Sequence, residues 1–291
     1  MTTEYQIENY THNKYETQVN DAYFEFMVAP CKDASQEVTR LSFHNSLAEE
    51  LYFHGNPFGF QVACIRTVKP FTDFAFSMKA TVEKIHQNPY NLEQLSIEDE
   101  TAVLSARDFY IEHHLYLELS KYTTITGIYS GYILQHRHGQ AVFDFLNQLN
   151  QHIYSMLAFD PVSTNVHTTA DEVISLKKGV CQDYSHLFLA IARKNRIPCR
   201  YVSGYLNPGE GKFVGAVAMH AWVEAFIPGN GWHGFDPTNN LLADVNHIKV
   251  AHGTDYSDCS PIKGVLKTTG SHRTDYQVKV IPHIMESTQS Q

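Results

Sequence analysis

Cys181, His220 and Asp236 are residue types that together suit thiol chemistry, and they follow one another in that order along the chain. A thiol nucleophile needs a base to take its proton, and the base needs a carboxylate to fix its tautomer and stabilise its charged form. Cys181 opens a run in which Leu187, Ala190, Ile191 and Lys194 recur at helical steps before Pro198 forbids continuation. The spacing predicts a buried helix with Cys181 in its first turn, where unpaired N–H groups and the positive dipole end favour a thiolate. Asp183 suits the same dipole end, and helix capping and packing account for it and for His186.

Three apolar runs follow: Cys199–Leu206, Ala216–Ile227 and Trp232–Asp236, separated by Asn207-Pro-Gly and Pro228-Gly-Asn-Gly. They read as strands joined by a loop and a tight hairpin. In the middle run Val217, Met219, Ala221, Val223 and Ala225 form one face, and His220, Trp222 and Glu224 form the other. His220 and Asp236 lie on strands bracketing the turn Pro228 to Gly231, so they can be neighbours in a sheet. The helix start could then bring the thiol to one imidazole nitrogen while Asp236 holds the other. Trp222 and Trp232 on these strands, and Gln182 beside the thiol, are candidates for the walls of a substrate cleft.

Upstream, Val142, Leu146, Leu149, Ile153 and Met156 recur at steps of three and four and define one stripe of a helix. Thr169-Ala-Asp-Glu172 fits a capping box, and the helix it starts should stop near Lys177-Lys178-Gly179. The first 85 or so residues read as an all-β unit. Phe74, Phe76, Met78, Ala80 and Val82 alternate with polar or small residues, as do Phe58, Phe60, Val62 and Cys64, with His54-Gly-Asn-Pro-Phe-Gly as a turn between strands. Asn88-Pro89 and the acidic stretch from Asn91 to Glu100 mark a boundary. The expected organisation is an amino-terminal β domain over residues 1–90, a connecting region over 91–138 and a catalytic domain over 139–291.

The 291 residues carry 22 Lys plus Arg against 31 Asp plus Glu, a formal charge of −9 that speaks against nucleic acid as a partner. The polar amino terminus, Met1-Thr-Thr-Glu-Tyr-Gln, lacks a basic start and an apolar signal run, and no apolar stretch nears the ~20 residues of a spanning helix. A cytoplasmic protein without a membrane partner is expected. Five cysteines, an odd number in a large chain, speak against a disulfide framework. His113-His114 and His136-Arg-His138 match no recognised zinc spacing, so neither a metal nor another cofactor is expected.

Gly179-Val-Cys-Gln-Asp-Tyr, Ser203-Gly-Tyr205, Met219-His-Ala-Trp-Val-Glu224 and Gly234-Phe-Asp-Pro-Thr238, in that order, resemble the bacterial branch of the transglutaminase-like superfamily. The resemblance is strong over about residues 160–240 and weaker over the amino-terminal β domain and Gly253–Gly264. It implies an α+β chain, an amino-terminal antiparallel β-sandwich-like domain followed by a papain-like core. It further implies Cys181 as nucleophile, His220 as general base and acid, and Asp236 as the residue orienting His220. The substrate class it implies is a peptide or protein amide, attacked to give a thioester, with hydrolysis slightly favoured over transfer to an amine. A scaffold module without turnover is the reading from another class. No tryptophan precedes Cys181, so the oxyanion falls to other donors: the Cys181 backbone N–H or a polar side chain upstream.

Overall fold

The amino-terminal sequence forms a strand because its residues alternate between two environments. In β1 (Thr2–Val19) Tyr5, Ile7, Thr11 and Tyr15 point inward, with more accessible residues between them. The computed structural model describes residues 1–209 and 218–284. β2 (Ala22–Phe26), β3 (Gln36–Asn45), β4 (Tyr52–Gly55), β5 (Gln61–Thr67) and β6 (Phe71–Ile85) complete the early β unit. The alternation expected in β6 is present, with Phe74, Phe76, Met78, Ala80 and Val82 all buried. The turn at His54–Gly59 joins β4 to β5, and Gly59 adopts φ +85°, which favours glycine.

After β6 come α1 (Ile97–Ser105), α2 (Arg107–His113), α3 (Val142–Met156), β7 (Ala158–Phe159), α4 (Ala170–Leu176), β8 (Lys178–Gly179) and α5 (Cys181–Lys194). Then follow β9 (Cys199–Leu206), β10 (His220–Ile227), β11 (Gly231–Asp236), β12 (Leu241–Leu242), β13 (His247–Gly253), β14 (Ile262–Leu266) and β15 (His272–Ile284). Two four-stranded antiparallel sheets, ordered β15-β1-β6-β3 and β14-β2-β5-β4, form the sandwich. Aromatic rings from the two sheets interleave: Phe24 stacks on Phe74 at 4.5 Å and Phe26 on Phe76 at 3.7 Å. The sandwich is therefore closed by both ends of the chain. A division at residue 139 leaves β14 and β15 outside the β unit they complete.

A third, five-stranded sheet is antiparallel, in the order β12-β11-β10-β9-β13. α5 packs against β10 and β9 and is buried along nearly its whole length, from Gln182 to Arg193. Leu187, Phe188 and Ile191 are fully enclosed, and each such side chain contributes about 1.5–3 kcal/mol relative to exposure. Arg193, in the last turn, donates to the carbonyls of Cys199 (2.8 Å), Glu118 (3.0 Å) and Thr254 (2.6 Å), tying the helix end to three segments. The stripe expected on α3 is buried at Val142, Leu146, Leu149 and Ile153. The Thr169–Glu172 capping box is formed, and α4 stops at Leu176 as expected, with Lys177 rather than Gly179 taking the left-handed conformation at φ +54°. Among the described residues, no helix is long and apolar enough to cross a membrane.

Candidate active site

Asp236 ends β11, and the chain turns back on it. Its Oδ1 accepts the backbone N–H groups of Thr238 (3.0 Å) and Asn239 (3.2 Å), an arrangement in which an Asp caps its own turn. Its Oδ2 accepts Nε2–H of His220 at 2.8 Å, the side-chain amide of Asn239 at 2.8 Å and Nε2–H of His247 at 3.3 Å. The Asp244 backbone N–H donates to Nδ1 of His247 (3.2 Å), which leaves Nε2 to carry the proton directed at Asp236. Asp236, His220 and His247 are all buried.

The electrostatics follow from this arrangement. Burial disfavours an imidazolium, yet the Asp236 carboxylate, with the Cys181 thiol adding to it, outweighs burial and lifts His220 to about 10. Burial disfavours the Asp236 carboxylate as well, and His220 and His247 nonetheless hold it well below the usual carboxylate range. With Nε2 committed to Asp236, His220 keeps Nδ1 for another partner. That nitrogen is buried and accepts or donates no hydrogen bond among the described residues. The thiol acting on the same ring belongs to Cys181, the first residue of α5 and partly accessible.

Two glycines bring these pieces close. At Gly204, opposite His220 in the sheet, a Cβ would lie 2.3 Å from the Ile248 carbonyl and 2.5 Å from the Trp222 ring. Trp222 thereby sits against both histidines, at 6.2 Å from His220 and 5.3 Å from His247. At Gly179 a Cβ would lie 2.6 Å from Cβ of Asp183, whose carboxylate accepts Val180 N–H (2.8 Å) and the Thr164 hydroxyl (2.7 Å). Asp183 is thus the capping residue that the sequence suggests, and burial raises its pKa. His186 receives the Tyr256 backbone N–H at 3.2 Å and stacks on Tyr122; burial lowers it to about 4, so it serves as a neutral packing group.

Residues 133–237 match the transglutaminase-like superfamily. The match covers about a third of the chain and includes Cys181, His220 and Asp236. A protein of Mycobacterium bovis without an assigned function is 36% identical over 148 residues, which are 48% of this chain and 47% of that protein. A protein-glutamine gamma-glutamyltransferase of Pseudomonas aeruginosa is 32% identical over 114 residues, 38% of this chain and 17% of that protein. The chain therefore spans about half the length of the mycobacterial relative and less of the Pseudomonas one. A solved structure from Cytophaga hutchinsonii, named as a proposed cysteine protease, shares the fold over 99% of this chain and 93% of its own, with a TM-score of 0.76 at 23% identity.

Within the matched stretch the remaining candidates occupy different places. Trp222 is buried behind His220 as a wall of the histidine pair. Trp232 pairs with Phe226, six residues along β10 from His220, which at about 3.3 Å per residue is roughly 20 Å away. Its ring instead receives the Arg200 guanidinium at 4.3 Å, so Trp232 does not flank the imidazole. The Gln182 amide donates to the Val166 carbonyl at 3.3 Å and braces the loop before α4. Val217, expected on the β10 face, lies outside the described residues, and Met219 precedes the strand.

His247 and Asn239 are the contributions that sequence reasoning missed. Asn239 had a signal, since an Asp followed by Pro-Thr-Asn suggests a turn closing on the carboxylate. His247 had none beyond being one of 17 histidines. Ligand-type atoms of His220, Asp236 and His247 lie within 4.8 Å of one another, but the hydrogen bonds between them already use these atoms. His113 and His114 bond to the carbonyls of Phe109 (3.1 Å) and Ile111 (2.9 Å), and His136 to that of Gln140 (2.8 Å).

Proposed function

We propose that the chain is a thiol enzyme acting on peptide or protein amide bonds, with Cys181 as nucleophile, His220 as base and acid, and Asp236 as the residue that orients His220. The observation that carries this reading is the 2.8 Å bond from His220 Nε2 to Asp236, which leaves Nδ1 unpartnered on a ring that also feels the Cys181 thiol. In this reading the thiol proton passes to Nδ1, and the thiolate attacks the amide carbon. The Cys181 and Gln182 N–H groups open α5 ahead of its first intrahelical bonds, which Asp183 and Tyr184 donate to Val180, and they suit the oxyanion. Collapse breaks the C–N bond, His220 Nδ1–H protonates the departing ammonia or amine, and a thioester on Cys181 remains. Water attack then gives the carboxylic acid and regenerates the thiol.

Hydrolysis is favoured because water needs no further binding site. The Pseudomonas relative's name supports amine transfer as the competing outcome. Incubating the protein with glutamine-containing peptides, with and without a labelled primary amine, separates the two by product mass. Hydrolysed or deamidated peptide dominating in the presence of the amine supports the hydrolytic reading, and dominant amine incorporation overturns it. Selective alkylation of Cys181 by iodoacetamide, lost in His220→Ala, is the expected sign of an activated pair, whereas reactivity equal to that of Cys31 would favour a silent scaffold.

A further inference from the structure

The outer face of the five-stranded sheet, opposite α5, does not pack flush against the sandwich. A cavity of about 790 Å³ lies between them, lined on one side by Lys84 and Ser35 and on the other by Arg200, Glu224, Lys249 and His252. Its volume is that of a small-molecule site, and exposed residues His86 to Asn88 stand at its edge. Glu224 is a largely enclosed carboxylate, its side chain 16% accessible, and it serves two cations, Arg200 at 2.5 Å and Lys249 at 2.7 Å. Lys84 is buried too, and its ammonium donates only to neutral groups, the Ser35 hydroxyl at 2.8 Å and the Gln36 amide oxygen at 3.3 Å. Among the described residues no carboxylate lies within ion-pair distance of Lys84. The two other acids on the lining are engaged locally, Asp33 with the Ser35 N–H and hydroxyl and Asp244 with the Asn246 N–H.

Lys84, Arg200 and Lys249 thus face a space large enough for a ligand, and Lys84 is the one of the three with no carboxylate in contact among the described residues. Buried charge without a counter-charge is costly, and chains retain it where a ligand supplies the partner. Nδ1 of His252, a residue also on the lining, is buried without a hydrogen-bond partner among the described residues. We propose that this cavity is a binding site for a small oxyanion, a compact molecule carrying carboxylate or phosphate groups, with Lys84 as its principal counter-charge. Burial pulls the Lys84 ammonium below its ordinary pKa, as expected of a cation lacking a partner in contact. His247 and Trp222 line the same cavity and touch Asp236 and His220, so occupancy would be felt at the imidazole pair.

Calorimetric titration of the full chain with citrate and with inorganic phosphate, at constant ionic strength, tests this. Binding requires no turnover, so the outcome is independent of the proposed activity, and Cys181→Ala should bind as well as the unaltered chain. The expected result is one saturable site for at least one of the two anions, weakened about tenfold or more in Lys84→Met. Citrate alone would identify a carboxylate ligand, and phosphate alone a phosphorylated one. Hydrogen exchange on the unaltered chain covers the case of a poorly folded variant: the bound anion should slow exchange at Ser35, Gln36 and residues 249–252. No saturable binding up to about 10 mM of either anion, unchanged affinity in a folded Lys84→Met chain, or protection confined to other surfaces would overturn the proposal.

Discussion

His220 and His247 donate to the same oxygen of Asp236, at 2.8 and 3.3 Å, from two strands separated in the sheet by β9. The carboxylate is shared between a histidine whose other nitrogen has no hydrogen bond among the described residues and one whose other nitrogen is occupied by the Asp244 backbone. His247 is therefore a positioning residue. His247→Phe removes one donor and leaves Asp236 less well held, a loss of about 1–3 kcal/mol for a hydrogen bond to a buried charge. Alkylation of Cys181 should slow, and His247→Gln, which can still donate, should restore part of the rate. Equal rates in all three proteins would remove His247 from the site.

The charge state of His220 can be read in stability against pH. Its folded pKa is raised to about 10, so the protein binds a proton there that the unfolded chain releases near 6.5. This stabilisation is fully present below about 6.5 and is lost as pH rises through the folded value. Asp236 is depressed, so its contribution is present above about 3.9 and is lost as pH falls through its folded value. The unfolding midpoint should decline between about pH 6.5 and 10, and His220→Gln should flatten that decline. A wild-type midpoint independent of pH over this range would contradict the ion pair.

Gly204→Ala tests the close approach that seats Trp222. The added carbon meets the Ile248 carbonyl at 2.3 Å and the Trp222 ring at 2.5 Å, and the carbonyl is backbone that cannot swing aside. Overpacking of this kind costs about 1–3 kcal/mol or more. Urea unfolding should show the loss, and fluorescence should change because Trp222 is one of only two tryptophans. An unperturbed spectrum with full stability would mean that the strands separate easily here.

Much of the site was legible because local chemistry coincided with local structure. Cys181 begins a helix whose Leu187, Ala190 and Ile191 announce their period, and the hairpin that pairs β10 with β11 carries its turn signal in Pro228-Gly-Asn-Gly. What stayed hidden depends on register and long-range topology. The offset that separates Trp232 from His220 follows from antiparallel pairing, in which a residue just past the turn meets the far end of its partner strand. The amino-terminal strand β1 was obscured by the Asn and Thr among its inward residues, Asn9 bonding to the Tyr205 hydroxyl at 3.2 Å. No local pattern predicts that residues 262–284 return to close the first two sheets.

Glu224 separates structural from chemical roles in the matched segment. It lies on the same strand as His220, and Arg200 and Lys249 hold it ionised, down to about 2 despite burial. Glu224→Gln leaves the buried Lys249 and the partly accessible Arg200 without their counter-charge, at up to about 3–5 kcal/mol, whereas Lys249→Met keeps the Arg200–Glu224 pair and should cost less. Chemical denaturation orders the two variants, and the reverse order would show that Lys249 dominates the group.

Gln36 tests whether the sandwich braces the site through β13. Its amide donates to the carbonyls of Cys31 (2.6 Å) and Lys249 (2.8 Å) and accepts the Lys249 N–H (2.9 Å), at a register shift in β13 two residues from His247. Gln36→Ala leaves the Lys249 N–H buried without this partner, at about 1–3 kcal/mol, while the Lys249 carbonyl keeps the Cys31 N–H at 3.0 Å. The loss should be local: amides of residues 247–252 should exchange faster while those in the middle of α5 do not. If β13 then holds His247 less firmly, Cys181 alkylation should slow in Gln36→Ala. The effect should be less than additive with His247→Phe, because both variants act through one contact to Asp236. Strict additivity would mean that the sandwich stabilises the sheet without steadying the carboxylate.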